Sequence, residues 1–415
     1  MQTDSSSRAN KTIGFTEFLI LVGVMLSAQA LAIDAMLPAL PTIARALGIN
    51  DENHAQWIIT AYVAGMGMGQ LFWGMLSDRF GRRTILLVGL ASYAVAALLA
   101  GLSNSFHSLL VWRFIHGAAA ASMVVSRSVI RDLYEGRQMA RVMSLSSIVF
   151  IMIPIIAPTI GQAVLLIAPW RYLFLLFGVF AVFVFVWVVW RLPETLHPEY
   201  RRTLTSEHIG QALRQVLGNR SSMCYTICVT LIFGSIIAYV GMVQQIFANV
   251  FHRASAMPTM FALCAASIGV ASFTNSRIVM RLGMRVVSQT GLLLYLVIAV
   301  AHAIVAASGM DSLAMFVTLQ AFLMYCMGLM IGNFNTMAME PMGSVAGIAA
   351  SLQGAISSAG GALVGAFIGH FFDGTTVPLT IGAVVCGVVT FGLVLLAENG
   401  KLFQPHHAEV ASVTT

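Results

Sequence analysis

Two ionisable residues stand inside long apolar stretches, where each must be held by something. Asp34 lies in Leu31-Ala32-Ile33-Asp34-Ala35-Met36-Leu37-Pro38-Ala39-Leu40-Pro41, near the end of the first apolar run. A carboxylate within a membrane span costs about 2.5–3.5 kcal/mol on insertion scales. Burial disfavours its charged form, so such a group can take up a proton on one side of a membrane and give it up on the other. The structural alternative is that Asp34 lies at the water interface and caps a turn before Pro38. Arg113 lies in Val111-Trp112-Arg113-Phe114-Ile115-His116-Gly117. A guanidinium keeps its charge when buried and needs a partner. It either tunes a nearby protonatable group, meets an anionic intermediate, or ties backbone carbonyls together. His116, three residues on, titrates near physiological pH as a free side chain, and is either a relay or a bystander.

The composition says what positions these groups. Of 415 residues, 58% are hydrophobic and 9% charged, which excludes a water-soluble globular domain. A membrane span needs about 20 apolar residues, so this length holds about twelve. Only helices and closed barrels satisfy backbone polar groups in lipid. The apolar runs here are long and do not alternate, which selects helices. The expectation is an all-α membrane protein with spans near 14–37, 55–76, 84–102, 108–130, 140–167, 171–192, 221–250, 258–280, 285–307, 312–335, 344–372 and 377–397. Residues 1–13 form a cytoplasmic tail, 14–192 a first six-helix bundle, 193–220 a cytoplasmic linker, 221–398 a second bundle, and 399–415 a cytoplasmic tail. Within the linker, Gln211 to Leu217 is expected to form a short interfacial helix.

The net charge of +6 is a topology signal rather than a nucleic-acid face, because the cations sit between spans. With both termini inside, the Lys and Arg fall in the cytoplasmic loops, at their edges or in the N-terminal tail. The outward loops hold only Arg45, Arg171 and Arg253. Arg8 and Lys11 before an apolar run, with Ala28-Gln29-Ala30 inside it, resemble a cleavable leader. The run continues to Leu37, however, so the expectation is a retained first span. Cys224, Cys228, Cys264, Cys326 and Cys386 all lie in apolar runs of the second half and read as packing residues.

Between the second and third spans stands Gly74-Met75-Leu76-Ser77-Asp78-Arg79-Phe80-Gly81-Arg82-Arg83. This stretch resembles the signature of the major facilitator superfamily, roughly Gly-x-Leu-x-Asp-Arg-x-Gly-Arg-Arg. The resemblance covers nearly the whole chain and implies twelve transmembrane helices in two pseudo-symmetric six-helix bundles. Aligning Gly81 with Gly283 exposes an internal repeat, with Arg79 opposite Arg281 and Arg83 opposite Arg285; Met280 replaces Asp78. Gly74, Asp78, Arg79, Gly81, Arg82, Arg83 and, in the next charged loop, Arg131 are expected to form a cytoplasmic gate. In that gate the arginines pair with Asp132, Glu135 and lipid phosphates, and Asp78 docks on the N-terminus of span 11 when the cytoplasmic side is closed.

The Asp34 stretch resembles the first span of the Bcr/CflA-type branch (bicyclomycin and chloramphenicol resistance exporters). Some related exporters carry a second acid about two turns earlier, where this chain has Leu26. Arg113 followed by Gly117 resembles the superfamily's span 4 motif. Pro154-Ile155-Ile156-Ala157-Pro158-Thr159-Ile160-Gly161 resembles its antiporter signature, with Ala157 and Gln162 where glycine is usual. Glu340 to Gly347 also resembles the branch. The resemblance implies a proton-coupled antiporter in a bacterial inner membrane, exporting amphipathic drug-like compounds as a monomer and conferring antibiotic resistance. Asp34 and Arg113 would couple protons, and Pro154, Pro158 and Gly161 would shape the antiporter helix. Candidate pocket residues are Tyr62, Tyr239, Gln245, Asn335 and Gln353, with Gln244 and Asn333 beside them; each is otherwise helix-to-helix glue. The sequence has no phosphate-cradling loop, nucleophile elbow or metal-ligand spacing, so no enzyme activity, cofactor or metal is expected. The alternatives are export of a native sugar or amino acid, proton-coupled import, and a channel or receptor.

Overall fold

Lipid offers a backbone no hydrogen-bond partner, so a chain this apolar has to satisfy its N–H and C=O groups within each segment. The computed structural model describes residues 13–134, 136–196, 199 and 206–403, and over these residues the chain is helical with no strand. The tails 1–12 and 404–415, together with Glu135, Arg201 and Arg202, lie outside the described residues.

Twelve long helices run in chain order. They are α1 (Phe15–Asp34), α2 (Trp57–Phe80), α3 (Arg82–Gly101), α4 (Phe106–Leu133, with a 3-10 segment at Ala121–Val124), α5 (Gly136–Ile167) and α6 (Arg171–Arg191). The second set is α7 (Arg220–Gln245), α8 (Met257–Leu282), α9 (Met284–Ala307), α10 (Leu313–Met339), α11 (Ala346–His370) and α12 (Val377–Ala397). Ten are long and apolar enough to cross a membrane. The other two are α2, which carries Gln70, Asp78 and Arg79, and α5, which runs 32 residues through Pro154 and Pro158.

The structure moves several boundaries. The first helix ends at Asp34 rather than Leu37; a 3-10 turn, Leu37–Ala39, and a short helix, Leu40–Ala46, follow. Pro38 and Pro41 lack the N–H groups that would carry one helix through. The charged stretch is not a loop, because α2 continues through Asp78, Arg79 and Phe80, and α3 begins at Arg82. The whole turn is Gly81, at φ 98° and ψ 150°, a conformation that strains any residue with a Cβ. Gly283 turns α8 into α9 the same way, at φ 84° and ψ 155°. The expected interfacial helix is longer than its pattern and spans Ser206–Gly218. Glu340–Val345 forms its own 3-10 turn, and α11 starts only at Ala346.

The packing repeats between halves. In the first, α1 packs on α5, α2 on α4 and α3 on α6; in the second, α7 packs on α11, α8 on α10 and α9 on α12. Across the halves α2 packs on α11 and α5 on α8, two contacts that exchange under the repeat. Small residues permit the closest approaches. A Cβ at Gly117 of α4 would lie 1.9 Å from the Tyr62 carbonyl oxygen of α2, so the two backbones meet there. Gly117→Ala is therefore expected to force α2 and α4 apart at a cost of about 1–3 kcal/mol. Thermal unfolding in detergent should show a lower midpoint for it, while Gly332→Ala, where nothing lies within 4 Å, leaves the midpoint unchanged.

Candidate functional site

The carboxylate of Asp34 is 5% exposed at the C-terminal end of α1. No cation and no hydrogen-bond donor among the described residues is paired with it. Its surroundings are fixed from two sides. On one, a Cβ at Gly161 of α5 would fall 2.0 Å from the Ala35 carbonyl oxygen, so the antiporter-like segment meets the backbone immediately after Asp34. Ala157, where the family pattern has glycine, is fully buried. On the other side, Arg113 reaches the carbonyl of Ala32, two residues before Asp34.

Arg113 is fully buried and makes no ion pair among the described residues. Its Nη2 donates to the Ala32 carbonyl at 3.1 Å and its Nε to the Ile58 carbonyl at 3.2 Å. The guanidinium lies 4.3 Å from the centre of the Tyr62 ring, a cation–π contact that desolvation strengthens. Of the readings open from sequence, the tie to backbone carbonyls is the one the geometry realises. It joins α1, α2 and α4 at one point. The third arm, Nη1, lies 3.3 Å from His116 Nδ1. Arginine can only donate, so Nδ1 accepts, and the ring is neutral with its proton on Nε2. The ring packs against Tyr93 at 4.0 Å and Tyr62 at 5.2 Å, and Nε2 has no hydrogen-bond partner among the described residues. His116 is thus built in as an acceptor within an aromatic cage. Two further bonds hold α1 in place, Tyr93 Oη to the Ala28 carbonyl at 3.2 Å and Gln29 Nε2 to the Ala120 carbonyl at 3.0 Å.

At the other end of the helices lies the charged cluster. Arg82 is its hub, pairing through Nη1 with Asp78 and through Nε with Asp132 at 3.1 Å. Its backbone N–H, at the start of α3, donates to Glu194 Oε1 at 2.8 Å, and the same oxygen accepts from the N–H groups of Thr195 and Leu196. Arg83 Nη2 donates to the Val189 carbonyl at 2.7 Å. In this arrangement Asp78 pairs with Arg82. Arg79 is exposed over the Phe80 ring, and Arg131 is exposed with Ser128 as its partner. Gly74 lies against α11, where its Cβ would be 2.6 Å from Ser351 Oγ.

The second half repeats this hub with Arg285, which pairs with Glu340 at 3.1 Å and Glu398 at 2.9 Å. Glu398 also accepts from Tyr225 Oη. The sequence alignment set Arg83 opposite Arg285, whereas by role Arg285 answers to Arg82. Glu194 and Glu398 were missed as members of these hubs. The signal was present, since each half carries one acid after its fourth span, Asp132 or Glu340, and one after its sixth.

The pocket candidates scatter. Tyr62 packs on Arg113 and His116, and its hydroxyl faces that of Tyr93. Tyr239 stacks on Phe261 at 5.8 Å with its hydroxyl beside the Cys264 thiol. Gln353 is buried and donates to Ser222 Oγ and the Ala338 carbonyl, both at 3.0 Å. Asn333 donates to Asn275 Oδ1 at 2.8 Å, and Asn335 is exposed. Gln245 belongs to a clasp between halves at the end opposite the charged hubs. It accepts from Gln56 Nε2 at 2.7 Å and donates to Asn53 Oδ1 at 3.1 Å. Asn53 Nδ2 in turn donates to the Phe372 carbonyl at 3.0 Å. Nearer mid-span, Gln70 Nε2 donates across the halves to Ser358 Oγ at 3.3 Å.

Two pseudo-symmetric helical halves, with polar groups buried between apolar spans, define a multi-pass membrane transporter. A model of the Major Facilitator Superfamily matches residues 20–366, and the chain belongs to that family. It is 30% identical over 387 residues to an uncharacterized MFS-type transporter, YdgK, of Bacillus subtilis, covering 90% of this chain and 94% of that one. It is 27% identical to a bicyclomycin resistance protein homolog of Haemophilus influenzae, covering 92% and 97%. It is 28% identical to the multidrug resistance protein MdtL of Klebsiella pneumoniae, covering 94% and 97%. These names agree with the Bcr/CflA-type resemblance of the Asp34 stretch. Among solved structures, a D-xylose-proton symporter superposes with a TM-score of 0.71 at 12% identity, covering 93% of this chain and 98% of its own. That likeness is one of fold.

Arg113→Lys keeps the charge but loses the fork that reaches two carbonyls at once. A charged hydrogen bond contributes about 1.5–3 kcal/mol. Transport by Arg113→Lys in reconstituted vesicles is therefore expected to fall about tenfold or more, and His116→Phe, which leaves the third arm of Arg113 without its acceptor, is expected to lose transport as well.

Proposed function

We propose that this protein is a proton-coupled exporter of amphipathic drug-like compounds that works by alternating access. The observation that carries the reading is Asp34, a buried carboxylate in the first span with no partner. A structural aspartate in lipid would be expected to hold a cation or a set of donors. One left free is poised to exchange a proton against a substrate. The Arg113 tie sets its backbone from one side and Gly161 from the other. The resistance names of two relatives support drug-like substrates.

In the proposed orientation both termini and the two charged hubs face the cytoplasm of a bacterial inner membrane, and the Gln56–Gln245 clasp faces outward. Asp34 takes a proton from outside, which releases the substrate outward. The halves rearrange, and a new substrate displaces the proton to the inside. The hubs of Arg82 and Arg285 act in this cycle as the cytoplasmic gate. Tyr62 and Tyr239 are the substrate contacts this reading favours over Gln353 and Gln245, whose amides are engaged in the fold. A potential of 100 mV contributes about 2.3 kcal/mol per charge moved, about fifty-fold accumulation per proton.

The test is Asp34→Asn in proteoliposomes carrying an imposed proton gradient, with a drug panel and a sugar and amino-acid panel as substrates. Proton-driven export and substrate-induced proton release should both disappear, whereas Asp34→Glu retains part of each. Intact export by Asp34→Asn would sink the mechanism. Coupling to the metabolite panel alone would reassign the substrate.

A further inference from the structure

We propose that Arg127 is an anion contact inside the ring of helices, and that the compounds moved carry a carboxylate or another acidic group beside an apolar body. This rests on the transport reading above and adds the charge of the substrate. The helix contacts define the place. In the order α2, α4, α1, α5, α8, α10, α7, α11, each helix packs on the next and the last on the first, with α3, α6, α9 and α12 outside. The part of α4 nearer the charged hubs, Ala121–Leu133, touches α1, α2, α3 and α5. Val125, Ser126, Val129 and Ile130 are buried on it. Arg127 is left exposed, yet protein surrounds it in nearly every direction. An exposed side chain within a shell of helices faces the middle of the ring rather than lipid.

Nothing in the fold answers its charge. Arg127 makes no hydrogen bond or ion pair among the described residues. The acids of the neighbouring helices and hubs are committed elsewhere. Asp78 and Asp132 hold Arg82, Glu17 holds Arg191, and Glu340 and Glu398 hold Arg285. Arg131, one turn nearer the end of α4, bonds Ser128 and pairs with no acid among the described residues. If Glu340 answers to Asp132, Asn335 of α10 answers to Arg127, and it is exposed and neutral. The second copy of this position therefore brings no acid either. A guanidinium without a protein acceptor presents a planar fork that matches a carboxylate or phosphate in two bonds. Walls of low dielectric focus the field of the two arginines into the ring. A lipophilic cation entering there meets repulsion and no compensating acid.

This contact is separate from the carboxylate at Asp34. Arg113 bonds the Ala32 carbonyl, beside Asp34. Along α4, at a rise of about 1.5 Å per residue, Arg127 lies about 20 Å from Arg113. That is about twice the screening length in physiological salt. An anion held at Arg127 therefore does not oppose loss of the proton from Asp34. Arg127 is an entry contact, met from the charged-hub end before the substrate reaches the first span's carboxylate.

The test uses the full chain in lipid nanodiscs with no proton gradient. The probes are naphthoate, naphthamide and naphthylmethylammonium, one ring system with negative, zero and positive charge. Saturation-transfer NMR should show saturable naphthoate binding, stronger than that of the amide, and no binding of the ammonium. Arg127→Gln should weaken naphthoate about tenfold or more, and Arg127→Lys should keep most of the binding. Arg127→Glu should reverse the order, so that the ammonium binds and naphthoate does not, a gain that misfolding cannot produce. Arg127→Cys should react with a membrane-impermeant methanethiosulfonate, and naphthoate should slow the reaction; the five native cysteines are buried. Naphthoate binding unchanged in Arg127→Gln, an ammonium bound as strongly as naphthoate by the unmodified protein, an unreactive Arg127→Cys, or no saturable naphthoate binding overturns the proposal. None of these readouts needs transport. Failure here with proton-driven export intact removes the anion contact and leaves the exporter. Binding through Arg127 without proton-driven export leaves the contact and removes the exporter reading.

Discussion

Everything around Asp34 depends on where Arg113 sends its three donor arms. A charge that cannot be discarded sits among apolar helices, and the protein satisfies it without spending a carboxylate. Two arms bond main-chain carbonyls, one on α1 and one on α2, and the third meets a neutral imidazole. The aromatic face of Tyr62 covers the guanidinium. Backbone carbonyls are partial charges that cannot titrate. The arginine is therefore held the same way whatever the proton occupancy nearby, and Asp34 stays unpaired. An Arg–Asp pair in this place would have held the carboxylate charged and made it a poor carrier of protons.

The same economy runs through the two ends of the molecule, with opposite chemistry. The charged-hub end gathers ionised groups within each half. Arg82 collects Asp78 and Asp132, and Arg285 collects Glu340 and Glu398. Glu194 adds a cap on the start of α3. Each half is thereby a unit that can move as one body. At the opposite end the bonds run between halves, and they are amide to amide and amide to carbonyl. Single neutral hydrogen bonds contribute little net free energy each, on the order of 1 kcal/mol. A seam closed this way is specific in register and still reversible.

The proposed cycle would run through the helix contacts between the halves. The halves meet along α2–α11 and α5–α8, and on α2–α11 small residues come close, a Cβ at Gly67 lying 2.8 Å from Ala359 Cβ. Gly161, on α5, brings this seam helix against the backbone beside Asp34.

The sequence by itself determined the membrane class, the helical fold, the two-half repeat and the family. It did so because length of apolar runs, placement of cations and the Gly74–Arg83 signature are one-dimensional properties. It also singled out Asp34 and Arg113, since an ion in an apolar run is visible without a structure. Only the tertiary structure decided what those ions touch. Arg113 could have met a carboxylate; it meets carbonyls 55 and 81 residues away in the chain. Gln245 and Gln353 read equally as pocket residues or as glue between helices; here one bonds Gln56 and Asn53 across the halves and the other bonds Ser222 and Ala338 within its own. Glu194 was hidden because its partner, the N–H of Arg82, lies 112 residues away. An amide or carboxylate in a span has many acceptors and donors within reach of its own type. Which one it takes is fixed by the approach of other helices, and that approach is not written in local order.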